Sequence, residues 1–435
     1  MCHQFIRKPC EKILFYQIHD FFYSKLSQYQ CGFRKGYSTQ YCLILMLEKW
    51  KSSIDSKGVA GSLLTDMSKA FDCLSHELLI AKLEAYGFNY DSLKLLNSYL
   101  SMRSQRVRIN SEYSLWSEII SGVPQGSILG PLLFNIYLAD LFILLKDTNI
   151  ANYVDDNTIY ALENDVDAVK EKLENDSKLL FNWLKNNGLK ANPKKSHLLL
   201  DNTGVNEVVV IENNLICNEN EVYLLGITFD NQMNFNKHVT TLCKKASQKL
   251  HALSRIATYM NFDKRVIIMK QFILSQFGYC PLVWMCHSRR LNNRINRLHE
   301  LSLRIVYQDN ASTFEELLEK DKSVTIHDRN IQSLAIELFK TKEGLAPQFM
   351  NSIFTLKKDV KYCSKQIFVT RNVHTVHNGT ETLSFLGPKI WLIIPYDIKS
   401  SKSLNEFKRK IRLWKPTNCP CRICKVYVHN VGFIN

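Results

Sequence analysis

Residues 60–66, AGSLLTD, run almost wholly apolar into a single acid, Asp66. A short run that is apolar on both faces reads as a buried strand, with its carboxylate at the C-terminal end. Residues 150–160 read as two short strands around an acidic turn, with strand-forming residues on both sides of Asp155 and Asp156 in NYVDDNTIY. Each site alone is an ordinary turn or cap aspartate, because Asp favours turns. Lying side by side, the two segments would crowd three carboxylates into one place. Like charges that close are costly unless cations neutralise them. Carboxylate oxygens are natural ligands of Mg²⁺, and a pair of such ions can activate an attacking hydroxyl and steady a leaving oxygen in phosphoryl transfer. Sequence period leaves open whether the two segments pair.

The surrounding pattern is mixed. A helix is expected over residues 11–30, followed by the polar segment CGFRKGYST. Residues 74–86 keep Leu74, Leu78, Leu79, Leu83 and Tyr86 in helical phase, with Gly87 placed to end the helix. Residues 105–120 alternate as a β-ribbon, and residues 122–130 form a loop that opens a helix at Pro131. Residues 165–187 read as an amphipathic helix with Val166, Val169, Leu173, Leu180 and Leu184 in register, and residues 196–230 as β again. After 237 the pattern is helical to about 345 and mixed beyond. An α/β part with four or five strands thus precedes a basic helical part, with the boundary near 230–236.

Charge falls mainly in that second part. The 435-residue chain has a formal net charge of +15, and residues 237–304 hold 13 Lys and Arg against two acids, Asp263 and Glu300. Lys244 and Lys245 lie in a stretch where Val239, Leu242, Ala246, Leu250 and Leu253 recur at helical steps. Leu291, Ile295, Leu298, Ser302 and Ile305 form a second stripe, with Arg290, Arg294, Arg297 and Arg304 off it. A helix face that is almost purely positive suits phosphate backbones better than a solvated face of mixed sign. Hydrophobic residues at 46% and charged residues at 22% exclude wholesale disorder. No apolar run approaches the roughly 18 residues of a membrane span, so no membrane partner is expected. Thirteen cysteines, mostly scattered singly through apolar runs, and a start (MCHQFIRKPCEKILF) with no apolar leader read as reduced thiols of an intracellular protein of nucleus or cytoplasm.

Six segments carry a resemblance. QCGFRKGYST (30–39), TDMSKAFD (65–72), SGVPQGSILGPLLFNIY (121–137), YVDD (153–156), LKANPKKSHLLL (189–200) and YLLGITFD (223–230) occur in the order and spacing of reverse transcriptases. Over about residues 11–230 the chain resembles the polymerases of LINE-type, non-LTR retrotransposons, and the basic helices are more loosely similar to the thumb of that family. The resemblance implies an α+β, right-hand polymerase. Residues 1–230 would supply partial fingers and a palm of antiparallel sheet and packed helices, residues 237–345 a helical thumb, and residues 346–435 a mixed C-terminal region without an assigned role. It also implies an RNA-directed DNA polymerase working with two Mg²⁺ (Mn²⁺ an alternative) on an RNA template, a DNA primer and dNTPs. A catalytically silent nucleic-acid-binding remnant is the alternative reading, and the oligomeric state is open.

By the same resemblance, Asp66, Asp155 and Asp156 are the metal-binding carboxylates. Phe71 matches the aromatic gate that leaves no room for a 2′-hydroxyl. Pro124, Gln125 and Gly126 match the loop that touches nucleotide and template, and Arg34 falls in the fingers motif facing template or triphosphate. Lys195 matches the lysine that protonates the leaving pyrophosphate, with Lys194 beside it. Leu225 and Gly226 match the primer grip, and Lys244, Lys245, Arg290, Arg294 and Arg297 would hold the RNA–DNA duplex. Family members carry further fingers sequence ahead of the helix near Glu11 and an upstream endonuclease, so the chain is expected to be a piece of a longer product. At the other end, Cys419, Cys421, Cys424 and His429 are zinc-type ligands that could close a tetrahedral site or remain a tail of free thiols.

Overall fold

The computed structural model describes residues 2–124, 126–201, 207–357, 367–424, 426–428 and 432–434. It divides into two compact units that do not follow chain order: 1–38 with 59–219, and 39–58 with 220–435.

The first unit is built on an antiparallel sheet of β1 (Val59–Ser68), β2 (Asn149–Tyr153), β3 (Asp156–Glu163), β4 (Lys190–Ala191) and β5 (His197–Leu200). β1 lies inside the sheet. β3 runs along one side of it from Val59↔Glu163 to Asp66↔Asp156, and β2 pairs outside β3. β5 and then β4 occupy the other side, from Gly61↔Leu200 to Met67↔Ala191 and Ser68↔Lys190. Residues 60–65 of β1 are buried without a break, on both faces of the strand, which accounts for the apolar run before Asp66.

Helix Val166–Asn186 packs its Val169, Leu173, Leu180 and Leu184 onto this sheet and starts at Asp165, whose carboxylate accepts from Ala168 N at 2.8 Å. The approach is close at one point. A Cβ on Gly61 would fall 2.3 Å from Val169 Cγ1 and 2.6 Å from Leu200 Cδ2, so only glycine fits. Helix Gly130–Leu138 is buried along almost its whole length and forms the centre of the same core with Leu133, Phe134 and Ile136. The α+β class and the antiparallel sheet with packed helices are as expected. Helix Cys2–Phe22 begins well before residue 11 and gives way to a 3₁₀ turn, Tyr23–Lys25, so the expected helix ends short of residue 30. Residues 104–118 form a ribbon of two short strand pairs.

The second unit contains helices Asn236–Ile256, Arg289–Tyr307, Ile326–Lys342 and Leu383–Ile393, and the hairpin β6 (Glu221–Leu224) and β7 (Ile227–Asp230). Its first element is the helix Thr39–Asp55, which the pattern of residues 39–55 does not announce. Tyr41 to Leu47 are buried in succession, so no polar stripe marks a period. Its later polar side chains are fastened to residues 371–384. The Glu48 carboxylate accepts from Leu383 N at 2.5 Å and Ser384 N at 3.1 Å, capping helix Leu383–Ile393. Lys51 pairs with Glu381 at 3.4 Å with both side chains buried. Asp55 accepts from Thr375 N at 2.7 Å and His374 N at 3.0 Å. No helix among the described residues is long and apolar enough to cross a membrane.

Candidate active site

The pairing left open by the sequence is made in the first unit. Asp66 on β1 stands opposite Asp156 on β3, and Asp155 occupies the turn between β2 and β3 with its carbonyl accepting from Met67 N at 3.3 Å. Residues directly opposite on an antiparallel pair have Cβ atoms about 4.5–5.5 Å apart. Three carboxylates therefore share one end of the sheet. Burial pushes Asp156 up to about 6, helped by the charges of Asp155 and Asp66; burial also raises Asp155, with Asp66 adding to it. An all-oxygen set under mutual repulsion is the donor set that hard divalent cations take, so these residues fit such ions.

The turn is held in a conformation that sequence period does not reveal. Val154 has φ +62°, a left-handed setting rarely adopted by a β-branched residue. The segment 29–32 braces it: Cys31 N donates to Asn152 O at 3.0 Å and Asn152 N to Tyr29 O at 3.2 Å. Asn152 Nδ2 donates to Val154 O at 2.8 Å and Asn157 Oδ1 at 2.9 Å. From the helix Gly130–Leu138, Asn135 Nδ2 donates to Gly32 O at 2.9 Å and Asn135 O accepts from Gln30 Nε2 at 2.9 Å. Gln30, Asn135, Asn152 and Asn157 are buried polar residues that position the acidic turn, and no local signal singles them out. Gly32 belongs to this brace because a Cβ there would meet Val154 Cγ2 at 2.7 Å and Val154 N at 2.8 Å.

Phe71 is half-buried, stacked on Phe134 with centroids 4.4 Å apart and edge-on to Phe33 at 5.8 Å. Its carbonyl accepts from Val123 N at 3.0 Å, which ties it to the loop of Pro124 and Gly126. Gly122, φ +84°, makes that junction possible, since a Cβ there would lie 2.7 Å from Phe71 O. Gly126 has φ +79° and faces open space. Gln125 lies outside the described residues. A cleft of about 640 Å³ beside the loop is lined by Lys69, Asp72, Arg103, Gln105, Gly122 and Pro124.

Lys194 and Lys195 are both exposed on the 3₁₀ turn Pro193–Lys195. That turn follows β4, whose Ala191 pairs with Met67, the residue after Asp66. Arg34 is turned into its own loop: Nη1 donates to Ser27 O at 2.5 Å and Gln30 O at 3.2 Å, and the guanidinium lies over the rings of Tyr37 and Tyr23 at 4.3 and 5.1 Å. Its donors organise the brace segment in place of an outward contact.

The remaining residues lie in the second unit. Leu225 and Gly226, both at positive φ, form the two-residue turn between β6 and β7. Tyr279 OH donates to Leu225 O at 2.7 Å, and its ring lies 2.8 Å from where a Cβ on Gly226 would stand. Lys244, Lys245, Arg290, Arg294 and Arg297 are exposed, and none has a carboxylate partner among the described residues. Other members of the basic stretch are spent inside the fold. Arg265 is buried, Arg304 pairs with Glu300 at 2.7 Å, and Lys270 with Asp321 at 3.4 Å. Of the proposed zinc ligands, Cys419, Cys421 and Cys424 come together; His429 lies outside the described residues, and His327 is the histidine beside the three thiols.

Residues 1–229 match the family described as reverse transcriptase (RNA-dependent DNA polymerase). The chain is 26% identical over 317 residues to a probable RNA-directed DNA polymerase from transposon BS of Drosophila melanogaster, covering 69% of this chain and 35% of the relative. It is 24% identical over 291 residues to the RNA-directed DNA polymerase from mobile element jockey of the same species, covering 64% and 32%. The chain thus spans about a third of the length of these relatives. Among solved structures, apo telomerase from Candida tropicalis is similar at 13% identity and a TM-score of 0.42, covering 72% of this chain and 51% of that one. With its matched segment extending over more than half the sequence, the chain belongs to the reverse transcriptase family.

Proposed function

We propose that this chain is an RNA-directed DNA polymerase of non-LTR retrotransposon origin, extending a DNA primer on an RNA template from dNTPs. The observation that carries the reading is the register Asp66↔Asp156 with Asp155 in the adjoining turn, which gathers three carboxylates at one end of the sheet. Asp66, Asp155 and Asp156 would hold a pair of Mg²⁺ ions. When bound, such ions supply Lewis-acid activation of an attacking hydroxyl and charge neutralisation at a leaving oxygen.

The chain's own residues do the positioning. The buried amides of Gln30, Asn135, Asn152 and Asn157 brace the backbone of the turn that carries Asp155 and Asp156, so little reorganisation of that turn is needed when substrate arrives. Phe71, fixed against Phe134, would pack against a deoxyribose and leave no room for a 2′-hydroxyl. Gly126 lets the backbone of its loop approach a nucleotide closely. Lys195 or Lys194, on the turn that follows β4, is suited to protonating the leaving pyrophosphate. The β6–β7 turn at Leu225–Gly226 would support the primer end, and the exposed Lys244, Lys245, Arg290, Arg294 and Arg297 would hold the duplex backbone, residues 237–345 acting as a thumb. The test is primer extension by the purified chain on poly(rA)/oligo(dT) with Mg²⁺ and dTTP. Template-dependent incorporation is expected. Its absence, with salt-dependent RNA binding intact, would leave only a nucleic-acid-binding remnant.

A further inference from the structure

The C-terminal cysteines meet a histidine that nucleotidyl transfer does not use. In the second unit, Cys419, Cys421 and Cys424 gather against His327, the second residue of helix Ile326–Lys342. One ligand atom from each of the four lies within 4.8 Å of the others. His327 Nε2 is 3.3 Å from Cys421 Sγ and 3.3 Å from Cys424 Sγ. His327, Cys419 and Cys421 are buried. Around Zn²⁺, with Zn–S near 2.3 Å and Zn–N about 2.0–2.1 Å, tetrahedral geometry sets ligand atoms roughly 3.5–3.8 Å apart. The cluster is on that scale, and its three sulfurs and one imidazole are soft and borderline donors that suit zinc better than an oxygen-seeking cation.

We propose that His327, Cys419, Cys421 and Cys424 form a closed structural zinc site that clasps the C-terminal segment to the start of helix Ile326–Lys342. The backbone is prepared for it. Asn418 takes a left-handed φ of +57° ahead of Pro420, and Cys424 N donates to Cys421 O at 3.2 Å, closing a turn that sets the last two thiols on one side. The neighbouring chain is anchored independently: Gln332 Nε2 donates to Trp414 O at 2.7 Å, and Arg422 Nη1 to Glu381 Oε1 at 2.9 Å. Binding releases the three thiol protons to solvent and forms three Zn–S bonds and one Zn–N bond, with no change of oxidation state. The histidine comes from a helix far upstream in the chain, so the site ties the tail into the unit in place of closing a small loop on itself. This site stands apart from the polymerase reading, and neither depends on the other.

The test uses the full chain purified under reducing conditions. Elemental analysis should find one zinc per chain, and cobalt exchanged into the intact protein should show the tetrahedral d–d bands and thiolate charge transfer of an S₃N set. His327→Ala and Cys421→Ser should each lose the metal, whereas His327→Cys should retain it as an S₄ site. Chelation should open residues 412–424 to protease. An intact chain that binds neither zinc nor cobalt would overturn the proposal, as would disulfide-linked tail cysteines in the reduced preparation. Full zinc in His327→Ala, with loss in His429→Ala, would overturn the assignment of His327.

Discussion

Asp66 and Asp156 face one another across an antiparallel strand pair, a juxtaposition of like charges that a fold optimised for stability alone would avoid. Its cost is visible in Asp156, pushed up to about 6 by burial and by the charges of Asp155 and Asp66.

Removing that charge should therefore stabilise the metal-free chain while ending its activity, the usual opposition between a working site and a relaxed one. In EDTA at pH 7.5, Asp156→Asn is expected to raise Tm. The sign follows from linkage. A carboxylate raised from 3.8 to about 6 contributes stability below pH 4 that is lost as pH rises through 6. The advantage of Asp156→Asn should accordingly be largest above pH 6 and fade as pH falls toward 4. A variant less stable than the parent at pH 7.5 would contradict the repulsion.

The brace behind the acidic turn makes a steric prediction. Gly32→Ala would drive a Cβ into the Val154 backbone, 2.8 Å from its nitrogen. A cost of about 1–3 kcal/mol is expected, on the scale of overpacking a tight contact. Urea unfolding reads it, and primer extension should fall with it because the turn carrying Asp155 must shift. Unchanged stability and rate would remove Gly32 from the site.

Phe71 makes a chemical prediction. Phe71→Val should admit ribonucleotides, raising the ratio of rNTP to dNTP incorporation by roughly tenfold or more, about 1.4 kcal/mol of lost discrimination. Competition assays with UTP and dTTP measure it. An active variant with unaltered selectivity would show that the ring serves only to pack on Phe134.

Arg290, Arg294 and Arg297 lie at helical spacing on one exposed face, and each contact to a phosphate releases a counterion. Each substitution to Ala should lower the slope of log K against log salt by about 0.7–0.9 for an RNA–DNA hybrid, whatever its sequence. Fluorescence anisotropy across a salt series checks this, and a triple variant with the parent slope would place the duplex elsewhere.

Each half of the acidic site was legible because its signals are local, whereas the joining of the halves followed only from the resemblance. A buried central strand leaves an unbroken apolar run before Asp66, and a tight hairpin leaves strand formers on both sides of Asp155 and Asp156. Helix Val166–Asn186 was equally plain, with Asp165 as its cap and a regular buried stripe. What escaped reading depends on contacts distant in the chain. Asn152 and Gln30 meet only through tertiary packing, and polar residues that brace a turn look like any loop residue. His327 has no period linking it to Cys419. Arg34 stood in the right motif, yet motif position does not say whether a guanidinium points outward or into its own loop. Helix Thr39–Asp55 was hidden for the opposite reason: an apolar surface that wraps the helix removes the contrast on which periodicity depends.

The most direct measurement of the central claim is template-directed incorporation of dTTP on poly(rA)/oligo(dT) with Mg²⁺ by the intact chain and by Asp155→Asn, prepared side by side and matched for folding and RNA binding. The three-carboxylate account predicts incorporation by the parent and a loss of at least about a thousandfold in the variant, some 4 kcal/mol of transition-state stabilisation. A folded Asp155→Asn that extends primer at the parent rate would contradict it.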